Sequence, residues 1–224
     1  MTDRAALVLG ASGLVGGHLW PMLASSGEWS RIILLTRRPV SGLPAPVENH
    51  VIDFERLPDS MPVLEVDDLF VCMGTTIAAA GSREAFRRVD HDYPITVAGM
   101  LRDQGLGQIH LVTALGSGEQ SPFFYSRVKG ETERDMRALG VAVTHCYRPS
   151  LLLGERSERR PAEALGQRVL GPVRHLSVGP LGRWAPIEAA TVARAMVKVA
   201  RDSAAGERRH PVIIPSDCIR KLAD

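Results

Sequence analysis

Cysteine is scarce in this chain. Cys72, Cys146 and Cys218 are the only three in 224 residues, and none belongs to a CxxC pair. That count and spacing speak against a disulfide framework and give no zinc signature. Histidine is equally unpromising as a ligand set: the seven are scattered, with no HxH or HExxH, so no metal site is expected. Long apolar runs are missing, and none approaches the length needed to cross a bilayer. Met1-Thr2-Asp3-Arg4 leads straight into a strand-like run, without the charged, apolar and cleavage segments of a signal peptide. A large charge of one sign is missing too. Lys and Arg total 27 against 25 acidic residues, a net +2. So even a balance argues against non-specific nucleic-acid binding. The expectation is a cytoplasmic protein with a small-molecule partner, no nucleic acid and no membrane span.

What is present suits one ordinary domain. Hydrophobic residues make up 45% and charged residues 23%, enough to build a core. Short apolar runs alternate with helix-period segments. Strands are expected at Ala5 to Leu9, Arg31 to Thr36, near His50 to Ile52, Leu69 to Met73, Gln108 to Val112, Val141 to Tyr147 and Val212 to Ile214. Helices are expected from about Leu14 to Ala24, Arg83 to Gln104, Phe124 to Leu139 and Ala189 to Arg201, with Pro94 kinking or breaking the second. Continuous apolar strands alternating with helices imply a parallel sheet covered on both faces. The class is therefore α/β, a Rossmann-type doubly wound sheet in a single domain, 1–224. Residues 154–186 are rich in Arg, Gly and Pro and form the candidate substrate lid, with Trp184 as a possible wall.

The first strand ends in Gly10-Ala11-Ser12-Gly13-Leu14-Val15-Gly16, a GxxGxxG turn between strand and helix. Gly10 suits the tight turn, Gly13 a close backbone approach to pyrophosphate, and Gly16 close packing of helix on strand. The helix N-terminus offers unpaired N–H groups to phosphates. A tight turn with nothing bound is the bland alternative. The second strand ends Thr36-Arg37-Arg38, where an NAD site usually places an acid. Two guanidiniums suit a 2′-phosphate and indicate NADPH (NADP+). Asp53, after the third strand, is placed to flank adenine, although an Asp capping a turn has the same appearance. Tyr125 and Lys129 are one helical turn apart on one face. Lys129 can hold the nicotinamide ribose and favour ionisation of the Tyr125 hydroxyl, which can then serve as a proton donor.

Together these segments resemble the short-chain dehydrogenase/reductase superfamily, over roughly Ala5 to Val199. The turn, Thr36-Arg37-Arg38, Val51 to Glu55, Cys72 to Thr76, Arg88 to Tyr93, Tyr125 to Glu131 and Arg148-Pro149-Ser150 are similar to its atypical, Tat-interacting-protein-like branch. The resemblance implies that Ser12, Gly13, Leu14 and Val15 line the pyrophosphate turn. It places Arg37 and Arg38 at the 2′-phosphate, and Met73 and Gly74 beside the adenine-side ribose. Tyr125 and Lys129 become the catalytic pair. Leu152 approaches the nicotinamide, and Arg160 reaches back to the cofactor. One position departs from the pattern: the catalytic serine at the end of strand five aligns with Ala114. Thr113 and Ser117 are the candidate substitutes, and Ser117 is preferred because the Gly116-Ser117-Gly118 turn lets it swing toward Tyr125. The implied function is NADPH-dependent carbonyl reduction. An NADPH-binding regulatory or redox-sensing protein is the alternative, and sugar-nucleotide chemistry is disfavoured because it needs a larger substrate region.

Overall fold

A computed structural model describes residues 3–57, 59–154, 182–206 and 212–224. Strands β1 (Ala5–Leu9), β2 (Arg31–Thr36), β3 (Val47–Val51), β4 (Asp68–Val71), β5 (Gln108–Val112), β6 (Val143–Arg148) and β9 (Ile213–Pro215) form one sheet. Its order is β3-β2-β1-β4-β5-β6-β9, and every neighbouring pair is parallel. A second, two-stranded piece pairs β7 (Leu152–Leu153) with β8 (Ile187–Glu188). The strand order turns back at β1 and β4, so the loops beyond their carboxyl ends flank one crevice.

Side chains alternate across the sheet, as strand geometry requires. Ala6, Val8, Ile32 and Leu34 face one core, closed by α1 (Leu14–Ser26), α6 (Ala189–Ala205) and α7 (Ser216–Ala223). Leu7, Leu9, Ile33 and Leu35 face the other, closed by α4 (Tyr93–Arg102) and α5 (Phe124–Ala138). Both faces are covered, which is why these strands carry no polar alternation. Fully burying one such Leu or Ile contributes roughly 1.5–3 kcal/mol.

The expected long helix is divided. After the short α2 (Ile77–Ala80), α3 (Arg83–Arg87) passes into a π-helical turn over Arg88–Asp92 and then into α4. Pro94 explains the break. It has no N–H to give to the carbonyl four residues back, that of Asp90. The Thr132 hydroxyl lies 3.0 Å from that carbonyl and 2.8 Å from Val128 O, one turn back in its own helix. Helix α7 was not expected; it is short and packs on α6. Most of the candidate lid lies outside the described residues, apart from a 3-10 turn at Gly182–Trp184 and β8.

At the amino edge of the sheet, Asp68 is fully buried. Its Oδ2 accepts from Arg4 Nη2 and Trp29 Nε1, both at 2.6 Å. Burial pushes its carboxyl up to about 6, against the opposing pull of Arg4 and Trp29. A carboxyl raised in the folded state holds its proton there to higher pH than in the unfolded chain. Its stabilising contribution is therefore complete below about pH 4 and lost as pH rises through about 6. Relative to Asp68→Asn, the wild-type protein should lose on the order of 2–3 kcal/mol across that window. Urea denaturation at a series of pH values measures this, and parallel profiles for the two proteins would refute it.

Candidate functional site

The turn after β1 is built by backbone contact. Gly10 has φ +81°, and a Cβ there would lie 2.5 Å from Met73 N. A Cβ on Gly16 would lie 2.2 Å from the Gly10 carbonyl oxygen. Neither position tolerates a side chain, so the loop after β4 and helix α1 both close on the end of β1. The Gly13 N–H donates back to Gly10 O at 2.9 Å. Helix α1 starts at Leu14 with Gly13 as its cap, no side-chain cap and no acid in its first turn. The first-turn amides, from Leu14 to Gly16, have no intrahelical acceptor. Ser12 and Gly13 are exposed, Leu14 is half-buried, and Val15 and Gly16 are buried. This uncapped, electropositive cradle fits a pyrophosphate.

Arg37 and Arg38 follow β2 and are both exposed. The Thr36 hydroxyl donates to the Arg38 carbonyl at 2.7 Å and receives a bond from Asn49 Nδ2 at 2.7 Å, which fixes the course of this turn. The carboxylate of Asp53 accepts from the Glu55 N–H at 3.0 Å and caps the 3-10 turn Phe54–Arg56. Its capping role is thus plain in the structure. Met73 is half-buried beyond β4, Gly74 is exposed, and Leu152 is half-buried in β7. Arg160 lies outside the described residues.

Tyr125 stands on the first turn of α5, 37% exposed, its ring 5.5 Å from that of Phe86. One turn on, Lys129 is buried, and its Nζ is 2.7 Å from Asp90 Oδ1. Asp90 Oδ2 accepts from the Thr75 N–H at 2.8 Å. Gly74 passes directly over this pair: a Cβ there would meet Asp90 Oδ1 at 3.2 Å and Lys129 Nζ at 3.4 Å. Burial pulls the Lys129 ammonium down, but the charges of Asp90 and Tyr125, with the Asp90 hydrogen bond and Glu133, outweigh it. The net shift is upward, and Lys129 holds its proton more firmly than an ordinary lysine. The structure thus brings Tyr125, Lys129, Gly74 and the glycine turn to the same edge of the sheet.

The two candidate hydroxyls are engaged elsewhere, which departs from the expectation for Ser117. Its Oγ donates to Ala114 O at 2.7 Å and closes its own turn. Thr113 Oγ1 donates to buried Glu133 at 2.6 Å, with Tyr147 O at 3.2 Å. A hydroxyl has one proton to give, and both are directed into the protein. Glu133 in turn pairs with Arg148, at 2.9 Å from Nε and 2.5 Å from Nη2. Hydrogen bonding to Glu133 raises the Arg148 guanidinium above its ordinary range. Sequence reasoning missed Asp90, Glu133 and Arg148 as site residues. The available signal for Asp90 was its place four residues before Pro94, where a helix carbonyl loses its donor.

No helix among the described residues is long and apolar enough to cross a membrane. No family model matches the chain. It is 33% identical to rat Protein HTATIP2 over 175 residues, covering 76% of this chain and 72% of the relative. It is 33% identical to mitochondrial Protein fmp52 of Aspergillus clavatus over 225 residues, 95% of this chain and 96% of that one. Among solved structures, a short-chain dehydrogenase/reductase family oxidoreductase from Burkholderia thailandensis shares the fold with TM-score 0.67 at 20% identity. It is matched over 98% of this chain and 94% of that one. The Bordetella bronchiseptica enzyme WbmF, in complex with NAD+, gives TM-score 0.67 at 17% identity, over 99% and 77%. The fungal relative is named mitochondrial, which overturns the expectation of a cytoplasmic protein. Sequence identity over most of both chains, with the parallel sheet and its glycine turn, shows that the chain belongs to the family of HTATIP2 and FMP52, an atypical NAD(P)-binding branch of the short-chain dehydrogenases/reductases.

Proposed function

We propose that this protein is an NADPH-dependent oxidoreductase that reduces a small carbonyl substrate, with Tyr125 as the proton donor. The observation that carries the reading is the arrangement of exposed Tyr125 one turn from buried Lys129, at the sheet edge that holds the Gly10–Gly16 cradle. The likeness to an NAD+ complex supports a nicotinamide cofactor. Such a cofactor, when bound, supplies the hydride. The first-turn amides of α1 hold the pyrophosphate, and Arg37 and Arg38 hold a 2′-phosphate. Lys129 donates hydrogen bonds to the ribose and presents its positive charge to the Tyr125 phenol. Tyr125 gives its proton to the substrate oxygen as that oxygen gains negative charge. Leu152 borders the nicotinamide side, and Met73 and Gly74 border the ribose.

One observation favours a second reading, an NADPH-binding regulatory protein with little turnover. The Ser117 and Thr113 protons both point into the protein, so neither polarises a substrate carbonyl. Restoring a hydroxyl with Ala114→Ser separates the two readings. Recovery of an oxyanion donor is worth about 2.7–4 kcal/mol, or roughly a hundredfold or more in rate. If Ala114→Ser raises kcat by that factor while Ser117→Ala and Thr113→Val leave it unchanged, the natural protein is a poor reductase. An efficient wild-type enzyme that gains nothing from Ala114→Ser supports the reductase reading.

NADPH should bind more tightly than NADH. Each charge-assisted hydrogen bond to the phosphate contributes about 1.5–3 kcal/mol, so the preference is on the order of tenfold to a hundredfold. Calorimetric titration with both cofactors checks it. Equal affinities would end the NADPH assignment, as would an Arg37→Ala/Arg38→Ala double variant that kept the preference.

Tyr125→Phe should abolish NADPH oxidation by a carbonyl substrate and leave NADPH affinity nearly unchanged, because only the transferable proton is removed. Steady-state kinetics beside a binding isotherm make the test. Full activity in Tyr125→Phe would mean that another group is the acid.

A further inference from the structure

We propose that Asp90 is a positioning residue of this site: its buried carboxylate ties Lys129 to the loop after β4 and fixes the ammonium between Tyr125 and the Gly74 turn. The inference rests on the nicotinamide-binding reading for the identity of what Lys129 meets, and on Asp90's own contacts for the rest.

Three elements converge on this carboxylate. The π-turn that Pro94 imposes carries Asp90 inward, where it is 2% exposed. One carboxylate oxygen faces Lys129 Nζ at 2.7 Å, and the other accepts from the Thr75 N–H at 2.8 Å. The Asp90 backbone carbonyl lies 3.0 Å from the Thr132 hydroxyl of α5, the helix that also bears Lys129. Asp90 is thereby held by an ion pair at Oδ1 and a hydrogen bond at Oδ2. Lys129 has no comparable freedom to reach solvent, since its side chain is 6% exposed.

The lysine itself is a chosen exception. The chain has 24 arginines and three lysines, Lys129, Lys198 and Lys221. Lys198 and Lys221 are exposed, and Lys129 is buried. The compact ammonium lies beneath the Gly74 backbone, 3.4 Å from where a Cβ on Gly74 would stand. An ammonium in that position must have a counter-charge, because a buried lysine without one gives up its proton. Among the described residues, the charged or titratable groups acting on it are Asp90 from the π-turn and Tyr125 and Glu133 from α5. Glu133 is already paired with Arg148 of β6. Tyr125 is a phenol. Among the described residues, Asp90 is thus the one of the three that combines a carboxylate, direct contact with Nζ and no other cation.

Three lysines make the test direct. Protein labelled with carbon-13 at the lysine ε-carbon gives three signals, and Lys198→Arg and Lys221→Arg assign two of them. In the wild-type protein the Lys129 signal should keep its ammonium position at about pH 10, where exposed lysines begin to lose protons. In Asp90→Asn its midpoint should fall by about one unit or more, because burial persists and the opposing charge is gone. NADPH affinity of Asp90→Asn, measured by calorimetry, should drop about tenfold, and the drop should widen as pH rises and Lys129 loses its proton. A role confined to packing would give no such pH dependence. An unchanged Lys129 midpoint in Asp90→Asn overturns the proposal. So does a wild-type Lys129 that titrates below Lys198 and Lys221, a result that stands even if the variant does not fold. If the wild-type protein binds no NADPH, the functional reading falls, and the Lys129 titration still decides the role of Asp90.

Discussion

The backbone contact between Gly10 and Gly16 sets the geometry on which the rest of the site depends. With no side chain at either position, helix α1 lies against the end of β1, and the β4 loop lies against Gly10. Every amide of the cradle is placed by that approach. A single methyl group on Gly16 would fall 2.2 Å from the Gly10 carbonyl and separate helix from strand. The same contact holds Met73 and Gly74 across from the turn, and Gly74 in turn roofs the Asp90–Lys129 pair.

Beneath this edge the protein pairs two buried carboxylates with cations, one buried and one half-buried. Asp90 meets Lys129, and Glu133 meets Arg148. Removing one member of such a pair costs roughly 3–5 kcal/mol, whereas replacing both by apolar groups is often neutral or stabilising. Stability alone therefore does not account for two such pairs here. Placement does: each pair joins helix α5 to a different neighbour, the π-turn in one case and β6 in the other. Helix α5 is held in register against both, and Tyr125 on its first turn inherits that position. Glu133 also accepts from the Thr113 hydroxyl, so the carboxylate that ties the helix to β6 also engages that hydroxyl.

Family membership brings fold and cofactor type together, while the chemistry depends on single positions. Ala114 at the end of β5 is the clearest of these. Around it the chain has hydroxyls on both sides, yet the structure engages each one internally. Tyr125 stands exposed one helical turn from buried Lys129. The chain thus keeps the Tyr125–Lys129 step and carries Ala114 at the end of β5.

Much of this architecture was legible in the amino-acid order. Strands β2 and β5 begin and end where their apolar runs do, because a strand buried on both faces carries its whole signal locally. The glycine turn and the Tyr125–Lys129 step are equally local, one fixed by backbone sterics and the other by helical pitch. Pro94 announced a break in its helix without showing its form. What the sequence by itself determined was therefore the order of the main strands and helices, the glycine turn and the Tyr125–Lys129 step. The tertiary structure alone decided that the break would be a π-turn, that Asp90 would face Lys129, and that Thr113 and Ser117 would spend their protons inside the protein. The physical reason is that a buried charge or hydroxyl takes whichever partner folding brings within hydrogen-bond distance, and that partner stands on a different element of the fold or across a turn whose shape the packing sets.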